Sequence, residues 1–236
     1  MLNTESYTEN NKVIIAGTVA SAPEFSHEVY EEMFYTFMLD TPRLSETHDT
    51  VKVTISEKFL MSEGLCIGDS VLIHGQFRSY NNFTNVGNRL VLTVFVKDIE
   101  AYDDTEEKSI NSIYLNGYIC KKPIYRTTPF GREIADILLA VNRSYNKSDY
   151  IPCIAWGRNA KFAECLNVGD NVIIKGRIQS REYQKKFTET DVKTMTAYEV
   201  SVSKLAAFDC AEDFDIESEF ELYSMGETSR TVDSVV

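Results

Sequence analysis

The sequence predicts an all-β chain built from two tandem five-stranded barrels, each with one short helix between its third and fourth strands. The first observation behind this is an internal repeat. KVIIAGTVASAPEF from Lys12 aligns with SIYLNGYICKKPIY from Ser112, setting Gly17 against Gly117 and Pro23 against Pro123. The second is a pair of Gly-Asp turns in register, IGDSVLIHGQFRS at 67–79 and VGDNVIIKGRIQS at 168–180, each running into a V-x-I-x-G strand. The third is the texture of the rest. Short runs rich in β-branched and aromatic residues alternate with turn signals, as barrels and sandwiches require.

In order, residues 1–11 form a polar N-terminal segment, 12–103 the first barrel, 104–110 an acidic link, 111–208 the second barrel and 209–236 an acidic tail expected to be disordered. In the second repeat the strands are expected near 112–121, 133–143, 150–157, 171–183 and 194–205, with turns at Gly131, at Gly169-Asp170 and around Gln184–Phe187. The helix is expected near 159–166, opening at Asn159 and setting Phe162 and Leu166 on one face. Five strands, about 95 residues and a helix between strands three and four are the order of an OB-fold, a small Greek-key barrel.

Composition narrows the class. With 43% hydrophobic and 25% charged residues the chain reads as an ordinary globular protein. The polar N-terminus is unlike a signal peptide, and no apolar run reaches the roughly 18 residues of a spanning helix. The five Cys include no CxxC pair and the three His are scattered, so no zinc-type spacing exists. An odd number of Cys, mostly strand-embedded, points to reduced thiols in a cytoplasm. The net charge of −12 looks unfavourable for binding a polyanion, but it is unevenly spread. The first repeat carries −6, the second +6 and the tail −8. Local field, rather than net charge, steers a polyanion.

The basic second repeat also holds the aromatics. Leu139–Phe162 contains the only Trp, Trp156, with Tyr145, Tyr150, Arg143, Lys147, Arg158 and Lys161. Aromatics interleaved with cations on paired strands suit a single-stranded nucleic acid, whose bases offer π-faces and whose linkages are anionic. Strand parity separates two faces. Val172, Ile174, Gly176 and Ile178 point inward, while Lys175, Arg177, Gln179, Arg181 and Tyr183 point outward. Tyr150 and Trp156 share the outward parity, and Arg158 continues it if the strand does; Pro152 between them signals an edge or a bulge. A lone Trp and solvated Lys/Arg are also common structural features, so the repeat serves as a control. The first copy keeps the inward set (Val71, Ile73, Gly75, Phe77) but carries Ser45, Thr50 and Ser56 where the second has Tyr145, Tyr150 and Trp156, and Asn82 or Phe83 for Tyr183. The barrel is kept and the aromatic set is not.

Over 112–208 the second repeat resembles the bacterial single-stranded DNA-binding protein family. SIYLNGYICKKP, LAVNRSYN and DYIPCIAWGRNAKFAECLNVGDNVIIKGRIQSREY carry the resemblance, and the first repeat matches only in framework. The resemblance implies base stacking on Tyr145, Tyr150, Trp156 and Tyr183, with Arg143, Arg158, Lys175, Arg177 and Arg181 as phosphate partners. It implies sequence-independent binding and protection of single-stranded DNA in replication, recombination and repair. Tandem-barrel members pair as homodimers presenting four OB-folds, with the first barrel here serving assembly more than stacking. The family usually ends in a Pro-Phe tip that recruits replication and repair proteins. This chain ends Asp233-Ser234-Val235-Val236 without that tip, which argues against recruitment through the extreme C-terminus; the acidic tail remains a candidate surface for such proteins or, alternatively, an electrostatic competitor of DNA for the basic face.

No Ser/His/Asp pattern, phosphate loop, HxxxH or CxxC is present, so neither an enzyme nor a cofactor or metal is expected. The other reading the residues allow is an OB-fold RNA binder or protein-interaction module, because stacking does not engage the 2′-hydroxyl. The expected location is the cytoplasm, at the nucleoid, away from membranes.

Overall fold

In a computed structural model of the chain, residues 10–43, 45, 47–81, 90–103, 109–186 and 192–209 are described. They form twelve strands and two helices. The first half contains β1 (Asn11–Val19), β2 (Glu24–Val29), β3 (Glu32–Pro42), β4 (His48–Ser56), α1 (Glu57–Glu63), β5 (Ser70–Asn81) and β6 (Leu90–Ala101). The second repeats the order with β7 (Asn111–Ile119), β8 (Ile124–Thr127), β9 (Glu133–Arg143), β10 (Lys147–Trp156), α2 (Arg158–Cys165), β11 (Asn171–Lys186) and β12 (Val192–Ala207).

Each half closes on itself. β1 pairs with β5 and, at its far end, with β3; β3 pairs with β4, β4 runs parallel to β6, and β6 returns to β5. The same ring runs β7-β9-β10-β12-β11-β7. These are two five-stranded OB-type barrels. The inward parity holds in both, with Val71, Ile73, Phe77, Val172, Ile174 and Ile178 all buried. Both Gly-Asp turns form alike. Gly68 and Gly169 take φ +95°, and the Asp69 and Asp170 carboxylates accept the amides of Cys66 (2.7 Å) and Asn167 (2.8 Å).

Three expectations need correction. Each half has a sixth strand, β2 or β8, zipped outside the ring onto β3 or β9. Every residue of β2 is exposed, and β8 buries none, so neither carries a period-2 signal to read. The second helix begins at Arg158 and buries Ala160 and Ala163, while Phe162 stays 38% exposed. The close packing of α2 under the barrel favours small residues over the larger ones that periodicity picks out. The hairpin turn expected at Gln184–Phe187 is also displaced. Gln184 lies within β11, and residues 187–191 are outside the described set, as are Asn82 and Phe83.

The two barrels join edge to edge into one twelve-stranded sheet. β1 and β7 run antiparallel with Val13 opposite Ile113, Asn11 opposite Leu115 and Ile15 opposite Asn111. Val13 and Ile113 are equivalent positions of the repeat, so a pseudo-twofold axis passes between them. Side chains obey it. Asn11 exchanges two hydrogen bonds with the Phe77 backbone (2.8 and 2.9 Å), and Asn111 does the same with Ile178. Ile110, the last residue of the acidic link, is buried with Ile14, Ala16 and Leu72.

Candidate nucleic-acid interface

β10 has one dry face and one wetter face, on which Ile154 alone is buried. Ile151, Cys153 and Ala155 are buried in the barrel, while Tyr150 and Trp156, on the other parity, are 43% and 39% exposed. Pro152 introduces no bulge: β10 stays in unbroken register with β9, Tyr150 opposite Ala140, Pro152 opposite Leu138 and Trp156 opposite Ile134. Gly157, at φ +52°, then turns the chain into α2. Arg158 therefore does not continue the strand. It is exposed on the first turn of the helix beside Trp156.

Tyr145 stands at the β9–β10 tip, 95% exposed, with φ of +62° followed by +53° at Asn146. Sequence reading missed Tyr118, whose position is set by pairing rather than by its own strand. It is 42% exposed and lies opposite Ala140, which lies opposite Tyr150. The row Tyr118–Ala140–Tyr150 thus places two tyrosines on either side of a small residue. Tyr114, by contrast, is buried at the junction, opposite Lys12. Tyr183 is half-buried in the β11–β12 arm, opposite Met195.

The basic residues of β11 divide by what they touch. Arg177 donates to the Asp49 carboxylate of the other barrel at 2.9 Å. Arg181 is 59% exposed and lies 3.8 Å from Glu199, which accepts the Gln179 amide at 2.7 Å. Lys175 lines, with Arg177, Ser112, Ser201 and Ser203, a cavity of about 300 Å³ next to the junction. The row Asp136–Ile154–Ser201–Arg177 runs across β9, β10, β12 and β11, so Arg177 shares the outer face of Tyr150 and Trp156. On β9, Arg143 reaches Asp149 at 3.4 Å.

Comparison with known proteins bears on this face. The sequence profile described as "Single-strand binding protein family" matches residues 110–207. The matched residues are those of the second barrel. Single-stranded DNA-binding protein 1 of Staphylococcus aureus (strain COL) is 36% identical over 84 residues, covering 33% of this chain and 50% of its own. Single-stranded DNA-binding protein A of Bacillus subtilis (strain 168) is 34% identical over 84 residues, covering 33% and 49%. The chain thus spans about half the length of the curated relatives it matches. The crystal structure of the wild-type single-stranded DNA binding protein from Thermus aquaticus superposes with a TM-score of 0.66 over 84% of this chain and 92% of that one, at 18% identity. This likeness shows the fold, and it extends over both barrels.

The second barrel is tied to the first by two buried aspartates, related by the pseudo-twofold axis. Asp49 accepts the Ser180 amide at 2.7 Å and pairs with Arg43 and Arg177. Asp149 accepts the Ser79 amide at 2.7 Å, but among the described residues its one ion pair is the long contact to Arg143, and its Oδ2 has no hydrogen-bond partner there. Their acidities diverge accordingly. Burial works to raise Asp49, but Arg43, the Ser180 amide and Arg177 outweigh it and hold the carboxyl below its ordinary value. Burial raises Asp149, and the Ser79 amide, Arg143 and Arg78 offset this only in part. Arg143 and Arg177 are therefore also structural residues of the junction, a role that strand parity alone does not reveal.

Proposed function

We propose that the chain binds single-stranded DNA without sequence preference and protects it during replication, recombination and repair. The observation that carries this reading is the wet face of β10. Tyr150 and Trp156 stand exposed on a strand whose other face is barrel core, next to the exposed Arg158 and in the segment matched by the single-strand binding family. Tyr145, Tyr150, Trp156 and Tyr183, joined by Tyr118, hold unpaired bases by stacking. Arg158 and Arg181 meet phosphates, and Lys175, Arg177 and Arg143 strengthen the field around them. Duplex is excluded because its bases already stack on one another.

In this reading 111–208 is the binding barrel and 12–103 the assembly barrel. Two chains pair as a homodimer with four barrels, in the cytoplasm at the nucleoid. Because β1 and β7 occupy each other's edges within one chain, that pairing uses other surfaces. The tail from 209, net −8, meets partner proteins or competes for the basic face; residues 210–236 lie outside the described set. No catalytic or cofactor-dependent step is part of the proposal.

The test is competition. A fluorescently labelled oligo-thymidine is bound, then challenged with unlabelled DNA single strand, RNA of the same sequence, and duplex. Displacement by single-stranded DNA, weakly by RNA and not by duplex, is expected. Equal displacement by RNA would favour an RNA-binding role, and no binding at any salt would remove the reading.

A further inference from the structure

The two outermost strands of the sheet, β2 and β8, occupy equivalent places in the repeat but carry opposite charge. We propose that they are complementary edges through which copies of this chain associate head to tail, the β2 edge of one against the β8 edge of the next. The inference goes beyond the single-strand reading and does not depend on it.

β2 and β8 stand at the two ends of the twelve-strand order, and among the described residues each pairs only with its inner neighbour, β3 or β9. The outward side of each therefore offers unpaired backbone N–H and C=O groups, a template for another strand unless something prevents it. Every residue of β2 is exposed, as are Ile124, Arg126 and Thr127 of β8, so no described part of the chain covers either edge.

Charge decides which pairings the edges allow. Residues 20–32 hold Glu24, Glu28, Glu31 and Glu32 with no Lys or Arg, a net −4. The equivalent residues 120–132 hold Lys121, Lys122, Arg126 and Arg132 with no acid, a net +4. Both copies close the same fold, so the fold does not demand the difference. Opposite charges facing each other across strands stabilise a pair, and like charges destabilise it. β2 against β2 and β8 against β8 are thus disfavoured, and β2 against β8 is the pairing left. Such a contact is heterologous: each copy keeps a free end of each sign, and association builds a ring or an open array. A twofold dimer would set like charges together at these edges, so the homodimer proposed above uses a different surface.

The hairpin tips agree with this. Val29 pairs with Glu32, so Tyr30 and Glu31 form a two-residue turn, with φ of +50° and +65°. Asn-Gly suits such a turn best, so an aromatic and an acid there are not the turn's own choice. Tyr30 is 98% exposed, and Phe130, its mate in the repeat, is 92% exposed. Phe25 and Val29 on β2 and Ile124 on β8 are exposed as well, giving each end an apolar contact beside the charge that selects its partner. Arg126 is already held by Asp136 at 2.9 Å. Among the described residues, however, no acid makes an ion pair with Lys121 or Arg132, and no cation makes one with Glu24, Glu28 or Glu31.

The test uses the full chain without nucleic acid. Sedimentation velocity is followed as protein concentration rises, at low and at high salt. The inference predicts growth beyond the smallest species at low salt, suppressed at high salt because the attraction is between exposed charges. Glu24→Lys with Glu28→Lys takes the β2 end from −4 to zero, and Lys121→Glu with Arg132→Glu takes the β8 end from +4 to zero. Each double variant alone should lose the growth. An equimolar mixture should regain it, because the first keeps an intact β8 edge and the second an intact β2 edge. Thermal midpoints check that both variants fold, and Trp156 quenching by oligo-thymidine scores the single-strand reading separately. No growth of the wild type, or no recovery on mixing, would overturn the inference. Growth that survives in the β2 variant would mean that the basic edge meets another acidic segment, such as the tail from 209, and would overturn it too. Weaker oligo-thymidine binding by the β8 variant with association unchanged would make the basic hairpin a nucleic-acid surface, with the same consequence.

Discussion

The buried Asp49 of the first barrel accepts the amide hydrogen of Ser180 of the second at 2.7 Å. Asp149 and Ser79 repeat the contact at 2.7 Å on the other side of the pseudo-twofold axis. The junction is thus two copies of one device, and the copies differ in how well the carboxylate is paired.

That difference has a measurable sign. Asp49, held below its unfolded pKa, contributes stability that is present above about pH 4 and lost as pH falls through its folded value. Asp149, raised by burial, does the reverse: its charge weighs against the fold above its folded pKa, and the penalty relaxes as pH falls. Asp49→Asn should cost about 2–3 kcal/mol at pH 7 and flatten the acid limb of the stability profile. Asp149→Asn should cost about 1 kcal/mol or less, because the folded state already disfavours its charge. Denaturant titrations at neutral and acidic pH read both.

Gly176 faces a backbone that cannot move aside. A Cβ there would sit 2.3 Å from the Ser201 carbonyl oxygen, where the β11–β12 register shifts; Gly75 faces Phe95 in the same way at 2.4 Å. Gly176→Ala should destabilise the protein by about 2–3 kcal/mol, seen as a lower thermal midpoint, and Gly75→Ala should match it.

The face of Tyr150 and Trp156 makes a third prediction. Tyr150→Ala and Trp156→Ala should each weaken single-strand binding by about 10–100-fold, corresponding to roughly 1–3 kcal/mol per stacked base. Tyr118→Ala should also weaken it, because the pairing row brings it level with Tyr150. Fluorescence anisotropy with a labelled oligonucleotide measures all three.

Arg158 and Arg177 should separate binding from stability. Arg158 is exposed, so Arg158→Gln should lower affinity and reduce the salt slope by about one while leaving the thermal midpoint in place. Arg177→Gln removes a partner of buried Asp49 and should lower the midpoint as well. Equal thermal midpoints for the two variants would contradict the structural role assigned to Arg177.

The repeat made the barrels legible, because Gly-Asp turns and alternating apolar runs report backbone demands that each copy must meet. The face of Tyr150 and Trp156 was legible from parity, and the unbroken β9–β10 register bears that parity out. The edge strands β2 and β8 were not, since strands without a buried face have no alternation. The junction was hidden for a different reason. Asp49, Asp149, Ser79 and Ser180 are repeat-equivalent polar residues, but only the tertiary pairing of β1 with β7 brings each aspartate to the other barrel's serine. The same pairing drew Arg143 and Arg177 into structural work.

The central claim is that Trp156 stacks on a base, and the residue reports on itself as the only tryptophan in the chain. The deciding measurement is titration of the full chain with oligo-thymidine while following indole fluorescence at low and high salt. The account predicts saturable quenching, with an apparent affinity that falls steeply as salt rises because phosphate contacts release counterions. Fluorescence that does not change on adding single strand, or quenching indifferent to salt, would contradict it.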